Sequence, residues 1–270
     1  MLVHSELNST EHAGIASAII LLEMPLPDFA VYPSLNGKRV LVTGGAAGSG
    51  ADTVAAFADQ GSDVAFLDRD EANSQAVAEK TGARFTLCDL RDIDAVKAAI
   101  HDLGPFDVLV NNAARDDRHN WQDVTVEYWD ERMATNIRHM FFAIQAVAPG
   151  MIEAGGGSII NIGSNSWWET KGGFPAYTTA KSAVHGLTRT MARDLGKDRI
   201  RVNAIVPGWI MTERQKELWV TPEALEMQKE VQCLPDLIDP VYIARMVLFL
   251  ASDDSAMCTA SNYMVEAGSI

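Results

Sequence analysis

Tyr177 and Lys181 stand four residues apart in a segment whose apolar residues recur at helical spacing. Residues i and i+4 share one face of a helix, so a phenol and an ammonium group are expected to be neighbours. A nearby positive charge favours the phenolate and lowers the pKa of the phenol, about 10 when unperturbed, towards that of a general base. By itself this spacing is frequent on ordinary helix surfaces, so its meaning depends on the residues around it.

Two further polar side chains are candidates for the same chemistry. Ser164 follows a predicted strand and precedes Tyr177 by 13 residues, which allows a loop to bring both side chains to one sheet edge. Its hydroxyl could orient a substrate oxygen. Asn136 interrupts an otherwise favourable helical segment, where it could bend the helix or hold a water near Lys181.

A glycine-rich turn with Gly44, Gly48, Ser49 and Gly50 directly follows the first predicted strand and opens the first predicted helix. Backbone N–H groups and the helix dipole at such a point can bind a pyrophosphate, and glycine permits its close approach. The spacing is one residue longer than the common dinucleotide fingerprint, so a plain strand-to-helix turn is the alternative.

Asp68 ends the second predicted strand, 18 residues after Gly50. A carboxylate there would accept hydrogen bonds from the adenosine ribose hydroxyls, which favours NAD. A 2′-phosphate would meet a like charge, although Arg69 would soften that repulsion and permit some NADP use. A surface carboxylate unrelated to any cofactor is the alternative interpretation.

Polar residues also end the third and fourth predicted strands, at Asp89 and at Asn111. The carboxyl ends of parallel strands are where ligands bind in open α/β sheets, so both positions are candidate binding residues. Asp89 could instead cap the helix that follows it, and both roles could hold together.

Short β-branched runs alternate with segments of helical period, which is typical of βαβ units. The predicted strands are 39–43, 63–67, 84–88, 107–111, 158–162, 201–206 and 263–265, and the predicted helices are 50–60, 71–80, 93–102, 126–153, 176–195 and 240–251. We expect an α/β fold: one doubly wound, seven-stranded parallel sheet of Rossmann-like type with helices on both faces. This single domain would span 35–270, with 1–34 as an N-terminal extension and 207–239 as a mobile loop that covers the substrate.

Composition excludes some classes of function. A net charge of −14 argues against a nucleic-acid partner, which requires clustered cations. Three widely spaced cysteines indicate neither a disulfide framework nor a zinc site, and they fit a cytoplasmic protein. No apolar run is long enough to cross a membrane. Asp116, Asp117 and His119 could be imagined as metal ligands, but Arg118 among them argues for a turn or a subunit contact, so we expect no metal.

Taken together and in this order, the motifs identify a resemblance to the short-chain dehydrogenase/reductase family from about Leu35 to Gly268. The resemblance implies a catalytic set of Asn136, Ser164, Tyr177 and Lys181, and a homotetramer. It also implies that Lys181 holds the nicotinamide ribose and that Tyr177 belongs to the cofactor-binding residues. Its further cofactor contacts would be Gly44, Gly48, Ser49, Gly50, Asp68, Asp89, Leu90, Asn111, Ile210 and Thr212. Ser49 departs from the isoleucine that the family usually has there.

Within that family, the segments 32–35, 116–119, 128–132, 138–140, 145–151 and 232–234 resemble bacterial aldopentose 1-dehydrogenases. This implies oxidation of an aldose at C1 to its lactone, with D-xylose, L-arabinose and a galactose-like sugar as the first candidates. A sugar site needs hydrogen-bonding groups and flat apolar surfaces, and Asn165, Trp167 and Trp209 lie beside the predicted site residues, with Ser164 and Tyr177. Trp168 is expected only to pack beneath the loop.

Two alternatives stay open at this stage. The chain could act on another secondary alcohol, a polyol or a sugar-acid intermediate. It could also be a non-catalytic NAD-binding module, because a fold does not guarantee an activity.

Overall fold

The computed structural model describes residues 28–270, of which Val31–Ile270 form one compact unit. Seven parallel strands build one sheet in the order β3-β2-β1-β4-β5-β6-β7. The strands are β1 Arg39–Thr43, β2 Asp63–Asp68, β3 Arg84–Leu87, β4 Val108–Asn111, β5 Gly157–Ile162, β6 Ile200–Pro207 and β7 Asn262–Val265. The predicted seven-stranded α/β fold is therefore confirmed.

The helices alternate with these strands along the chain. They are α1 Gly48–Asp59, α2 Glu71–Thr81, α3 Ile93–Leu103, α4 Val126–Met133, α5 His139–Glu153, α6 Pro175–Leu195, α7 Glu213–Leu218, α8 Pro222–Val231 and α9 Pro240–Ala251. Side-chain caps set several of the starts: Asp70 accepts from the Asn73 N–H at 3.1 Å, and Asp239 accepts from the Val241 N–H at 2.8 Å. Gly82 ends α2 in the left-handed conformation.

Most residues of the central strands β1, β4 and β5 are buried and apolar because helices cover both faces of the sheet. On one face, Phe57 of α1 and Val247 of α9 pack against Val40 and Val42 of β1. On the other face, helices α3, α5 and α6 cover Leu41 and Ile159. Phe57 is fully buried, and burial of such a side chain contributes about 1.5–3 kcal/mol.

The strand order reverses between β1 and β4, which pair with Thr43 opposite Asn111. The segments that leave these two strands must diverge to opposite faces of the sheet, which leaves a crevice at their carboxyl ends. The glycine-rich turn and Asn112 therefore lie side by side at this crevice.

Two local expectations are corrected. The segment predicted as one helix, 126–153, is divided by a π-helical turn at Ala134–Arg138, inside which the Asn136 side chain donates to the Arg132 carbonyl at 3.0 Å. The side chain that caps α3 is Asp92 rather than Asp89, because Asp92 is the residue that immediately precedes the helix. Asp89 instead forms an ion pair with Arg91 at 2.5 Å.

Most of the predicted extension, 1–34, lies outside the described residues. A short 3₁₀ turn spans Pro33–Leu35, and Leu35 is fully buried in the core. Within 28–270, no helix is long and apolar enough to span a membrane.

Candidate active site

A cavity of about 840 Å³ opens at the carboxyl edge of the sheet. This is a common size for a site that binds a small molecule or cofactor, about 300–1,000 Å³. Segments that follow six of the seven strands, together with α6, α7 and α8, contribute to its wall. The cavity therefore brings together residues that are distant in the sequence.

The glycine-rich turn forms one wall of this cavity. Gly44 and Gly48 have φ angles of +71° and +52°, a region that L side chains rarely adopt. A Cβ atom on Gly50 would overlap the Gly44 carbonyl oxygen, so glycine is required there by space. Ala47 precedes α1 without a side-chain cap, in contrast to α2, and this leaves backbone N–H groups for an anionic ligand. Gly44, Gly48, Ser49 and Gly50 all line the cavity, and the turn fits a pyrophosphate.

Asp68 lies at the cavity wall where β2 ends. Its carboxylate accepts from the N–H groups of Ala46 at 3.0 Å, Arg69 at 2.7 Å and Asp70 at 3.1 Å. These bonds hold the carboxylate beside the glycine-rich turn, at the place where an adenosine ribose would lie. Arg69 is exposed and also lines the cavity.

The remaining predicted cofactor residues are distributed unevenly around the cavity. Asp89, Leu90, Ile210 and Thr212 line it. The Asn111 side chain does not, because it is turned into the sheet and donates to Asn161 at 2.9 Å. In this part of the wall, the neighbouring Asn112 and Ala113 take its place.

Tyr177 lies in the first turn of α6, beyond the end of β5, and lines the cavity together with Ser164, with which it shares a hydrogen bond. Burial raises the pKa of Tyr177 above its ordinary value, and the negative charge of Asp116 raises it further. A hydrogen bond with Ser164 and the charge of Arg118 oppose that change in pKa. Ser164 is itself buried, with 8% of its surface exposed, and it accepts from the Ser166 N–H at 3.1 Å.

Lys181 is 1% exposed and donates to the Ile162 carbonyl at 2.7 Å, with its Nζ atom 5.8 Å from the centre of the Tyr177 ring. Burial lowers the pKa of Lys181 to about 7. The helical spacing predicted that Lys181 would lower the pKa of Tyr177. The net direction in the structure is the opposite, because burial of the phenol outweighs the favourable contacts around it.

Asn136 is fully buried in the π-helical turn and is absent from the cavity wall. Its Oδ1 atom accepts from the Arg115 N–H at 2.8 Å, which ties the turn to the loop after β4. The nearby His139 Nε2 atom lies 3.2 Å from the Ala113 carbonyl, and burial lowers the pKa of His139 to about 4. The imidazole is therefore neutral at pH 7, and Nε2–H donates to that carbonyl.

Of the residues proposed for a sugar, Asn165 and Trp209 line the cavity and Trp167 does not. Trp167 donates from Nε1 to His185 at 2.8 Å, and its ring lies 3.8 Å from that of Trp168, centre to centre. Asn165 is 4% exposed and donates to Glu169 at 2.8 Å. Trp209 donates to Gln215 at 2.9 Å.

Sequence reasoning missed part of the wall. Asp116 and Arg118, which were assigned to a turn or a subunit contact, line the cavity, and so does Trp219 of the segment after α7. Asp116 and Arg118 lie in the loop that follows β4, at the carboxyl end of a strand, and this position is the signal that could have indicated them. Asp117, between them, forms ion pairs with Arg132 at 2.6 Å and with Arg214 at 2.7 Å. Within 28–270, no group of three or more His, Cys, Asp or Glu side chains could hold a metal.

Comparisons with known proteins agree with this geometry. A family model described as enoyl-(acyl carrier protein) reductase matches residues 44–269. A D-xylose 1-dehydrogenase from Caulobacter vibrioides is 50% identical over 88% of this chain and 98% of its own. A Rhizobium meliloti protein named "Probable galactose dehydrogenase GalD" is 47% identical over 91% of this chain and 99% of its own.

A solved structure has the same fold. A 3-oxoacyl-[acyl-carrier protein] reductase with bound NAD from Brucella melitensis aligns with a TM-score of 0.81 at 30% identity, and the match covers 91% of this chain and 97% of that one. The extent of these matches, together with the glycine-rich turn and the Ser164, Tyr177 and Lys181 geometry, gives one conclusion: this chain belongs to the short-chain dehydrogenase/reductase family and is an oxidoreductase that acts on CH–OH groups.

Proposed function

We propose that this protein is an NAD-dependent sugar 1-dehydrogenase that oxidises an aldose at C1 to the aldonolactone. The observation that carries the proposal is that Tyr177 and Ser164 line a cavity whose wall also holds Asp116, Asn165 and Trp209. Such a wall supplies hydrogen bonds for hydroxyl groups and a flat surface for the C–H face of a sugar. The names of the Caulobacter and Rhizobium relatives support the same substrate class.

Four residues of the chain have separate roles in the proposed reaction. Ser164 and Tyr177 bind the C1 hydroxyl, and the Tyr177 oxygen removes its proton as the general base. Lys181 would bind the nicotinamide ribose, and when protonated it would contribute positive charge beside the phenol. Asn136 holds the π-helical turn against the loop after β4, and in the proposed reaction it keeps the water through which the proton leaves the site.

The cavity fits a dinucleotide. Gly44, Gly48, Ser49 and Gly50 would hold the pyrophosphate, and Asp68 would accept from the adenosine ribose hydroxyls, which favours NAD. Asp89 and Leu90 would lie beside the adenine, and Ile210 and Thr212 beside the carboxamide. A bound oxidised nicotinamide would supply the hydride acceptor for C1 and a positive charge that favours the phenolate. Arg69 would soften the repulsion between Asp68 and a 2′-phosphate, so NADP would serve as a secondary cofactor.

The segment 207–239 would cover the sugar as a loop of the domain that spans 35–270. It carries α7 and α8, and Arg214 and Gln215 of α7 reach across the cavity to the loop after β4. The chain would assemble as a homotetramer through the helices that hold Asn136 and Tyr177 and through β7. A monomer mass in light scattering at micromolar concentration would contradict that assembly.

The test is a set of initial rates with D-xylose, L-arabinose and D-galactose, each with NAD and with NADP. We expect at least one aldose to produce reduced cofactor, with NAD preferred, and its lactone to appear in the nuclear magnetic resonance spectrum of the product. Polyols and simple secondary alcohols serve as controls. The sugar assignment is abandoned if the polyols and alcohols are oxidised while no aldose is.

A further inference from the structure

Arg118 is held in an unusual way at the substrate end of the cavity. Its guanidinium carbon lies 4.0 Å from the centre of the Phe174 ring and 5.3 Å from the centre of the Trp219 ring. Phe174 is 4% exposed and precedes α6, while Trp219 follows α7. Two aromatic rings from two distant segments therefore hold the guanidinium by cation–π contacts, an interaction for which arginine is better suited than lysine.

The donors of this guanidinium are not used by the protein. Stacking engages the faces of the guanidinium and leaves its N–H groups, which lie in the plane, available for hydrogen bonds. Within 28–270, the Arg118 side chain has no hydrogen bond or ion pair. The neighbouring carboxylate of Asp117 is already paired with Arg115, Arg132 and Arg214.

Asp116 supplies acceptors in the same part of the wall. Its side chain is 23% exposed, and its Oδ2 atom accepts from Gln215 at 2.8 Å, which fixes the carboxylate towards the cavity. Asp116 and Arg118 both act electrostatically on Tyr177, so both lie close to the reacting centre. This part of the wall thus presents acceptors held by Gln215 and a planar donor group held by two aromatic rings.

We propose that Arg118 binds the sugar hydroxyls remote from C1, donating to two neighbouring oxygens, with Asp116 accepting from one of them. This inference rests on the proposed sugar oxidation. A planar guanidinium matches a pair of oxygens on adjacent carbons. Because the Arg118 N–H groups have no acceptor among the described residues, they can donate to such a pair without breaking an existing hydrogen bond. A neutral sugar is favoured over a sugar acid because the Asp116 carboxylate, in the same part of the wall as Arg118, would repel a carboxylate, whereas Glu169 is already paired with Lys171 at 3.2 Å.

The test uses Arg118→Met, which keeps the length and the apolar contact with the rings but removes all donors. Kinetics are measured with the best aldose found for the wild-type enzyme and with its 3-deoxy and 4-deoxy analogues. Arg193→Met is the matched control, because Arg193 is exposed in the last turn of α6, away from the cavity. Affinity for NAD and the melting temperature establish that each variant folds.

We expect Arg118→Met to raise KM for the aldose by roughly tenfold or more, since a hydrogen bond from a charged group contributes about 1.5–3 kcal/mol. The kcat value should change much less, and Arg193→Met should match the wild type. For the wild type, at least one deoxy analogue should be a poorer substrate than the parent aldose. For Arg118→Met, that analogue and the parent aldose should be equally good substrates, because the partner of the missing hydroxyl is already gone. Arg118→Lys should restore KM only in part.

An unchanged KM for the aldose in Arg118→Met overturns the inference while the proposed sugar oxidation stands. The inference is also overturned if removal of each hydroxyl weakens the aldose as a substrate by the same factor in the wild type and in Arg118→Met. A marked preference of the wild type for a uronic acid would assign Arg118 to a carboxylate instead. If the wild type oxidises no aldose at all, the proposed function fails and this inference fails with it.

Discussion

The Lys181 Nζ atom lies 5.8 Å from the centre of the Tyr177 ring and donates to the Ile162 carbonyl at 2.7 Å. The amino group is therefore anchored to the end of β5, and its contact with Tyr177 is with the ring face. Because burial lowers the pKa of Lys181 to about 7, part of the Lys181 population is uncharged at pH 7. The roles of both residues can be tested separately on this basis.

Replacement of Tyr177 by phenylalanine removes the proposed base and keeps the ring. We expect kcat/KM for alcohol oxidation to fall by at least about 100-fold, as is typical when a general base is lost. Steady-state kinetics check this, and unchanged NAD affinity excludes a loss of folding. Thr190→Val, at an exposed position further along α6, is the control and should keep full activity. Near-normal turnover in Tyr177→Phe would remove this residue from the mechanism.

The pH dependence of alcohol oxidation should follow the ionisation of Tyr177. Burial raises the pKa of this phenol, so the phenol is mostly protonated at neutral pH. The population of the unprotonated base therefore grows as the pH rises, and kcat/KM should increase with pH through the neutral range. The hydrogen bond with Ser164 lowers that pKa. In Ser164→Ala the rising limb of the profile should therefore move to higher pH, in addition to any loss of rate. A limb that stays in place or moves to lower pH would disagree with this reading of the site.

Asp68 should control the choice between NAD and NADP. In Asp68→Ser the carboxylate that would repel a 2′-phosphate is gone, while Arg69 remains beside the site. We expect the ratio of kcat/KM for NAD to that for NADP to drop by roughly tenfold or more, given about 1.5–3 kcal/mol for a hydrogen bond to a charged group. Because Asp68 also accepts from the Ala46 N–H, the kcat of Asp68→Ser with saturating NAD serves as the control, and a value near that of the wild type shows that the glycine-rich turn is intact. An unchanged ratio would show that Asp68 does not face the ribose.

Asp117 should stabilise the fold at neutral pH. Burial alone would raise its pKa, but hydrogen bonds from Arg214, Arg115 and Arg132 lower the pKa to about 2. A carboxyl whose folded pKa is depressed contributes stability above its unfolded pKa of about 4, and that stability is lost as the pH falls through the folded pKa. Asp117→Asn should lower the melting temperature at pH 7 by about 4–8 °C, from about 2 kcal/mol of lost interactions.

Thermal unfolding monitored by circular dichroism from pH 7 downwards checks this expectation. The difference between wild type and Asp117→Asn should shrink as the pH falls below about 4, where the carboxyl of the unfolded chain takes up a proton, and should be lost once the pH reaches the folded pKa of about 2. Asp236→Asn, at an exposed position, is the matched control and should leave the melting temperature nearly unchanged. A difference between wild type and Asp117→Asn that is constant with pH would show that packing, and not charge, sets the effect.

Gly50→Ala should damage the cofactor site, because the added methyl would overlap the Gly44 carbonyl oxygen. Either the turn shifts or the start of α1 does, and both displace the N–H groups that would bind the pyrophosphate. We expect weaker NAD binding in fluorescence titration together with a lower melting temperature. Gly172→Ala is the control, since a Cβ atom there would meet no other atom within 4 Å. Wild-type affinity in Gly50→Ala would contradict the assigned role of the turn.

Much of this molecule follows from local patterns. Apolar runs of β-branched residues mark the strands, and glycines at 44, 48 and 50 mark a turn whose φ angles and close approach no other residue permits. The four-residue spacing of Tyr177 and Lys181 places both on one helix face. These features depend on neighbours in the chain, so the sequence by itself determined the fold class and the elements that hold the proposed catalytic residues.

Only the tertiary structure decided where individual side chains point and how their charges are stabilised. Trp167 turns to His185 instead of the cavity, and Arg118 enters the cavity because Phe174 and Trp219 approach it from segments far along the chain. The pKa of Tyr177 is raised although Lys181 is its helical neighbour. The physical reason is common to these cases: ring contacts and desolvation depend on residues brought together by folding, and no spacing in the sequence records them.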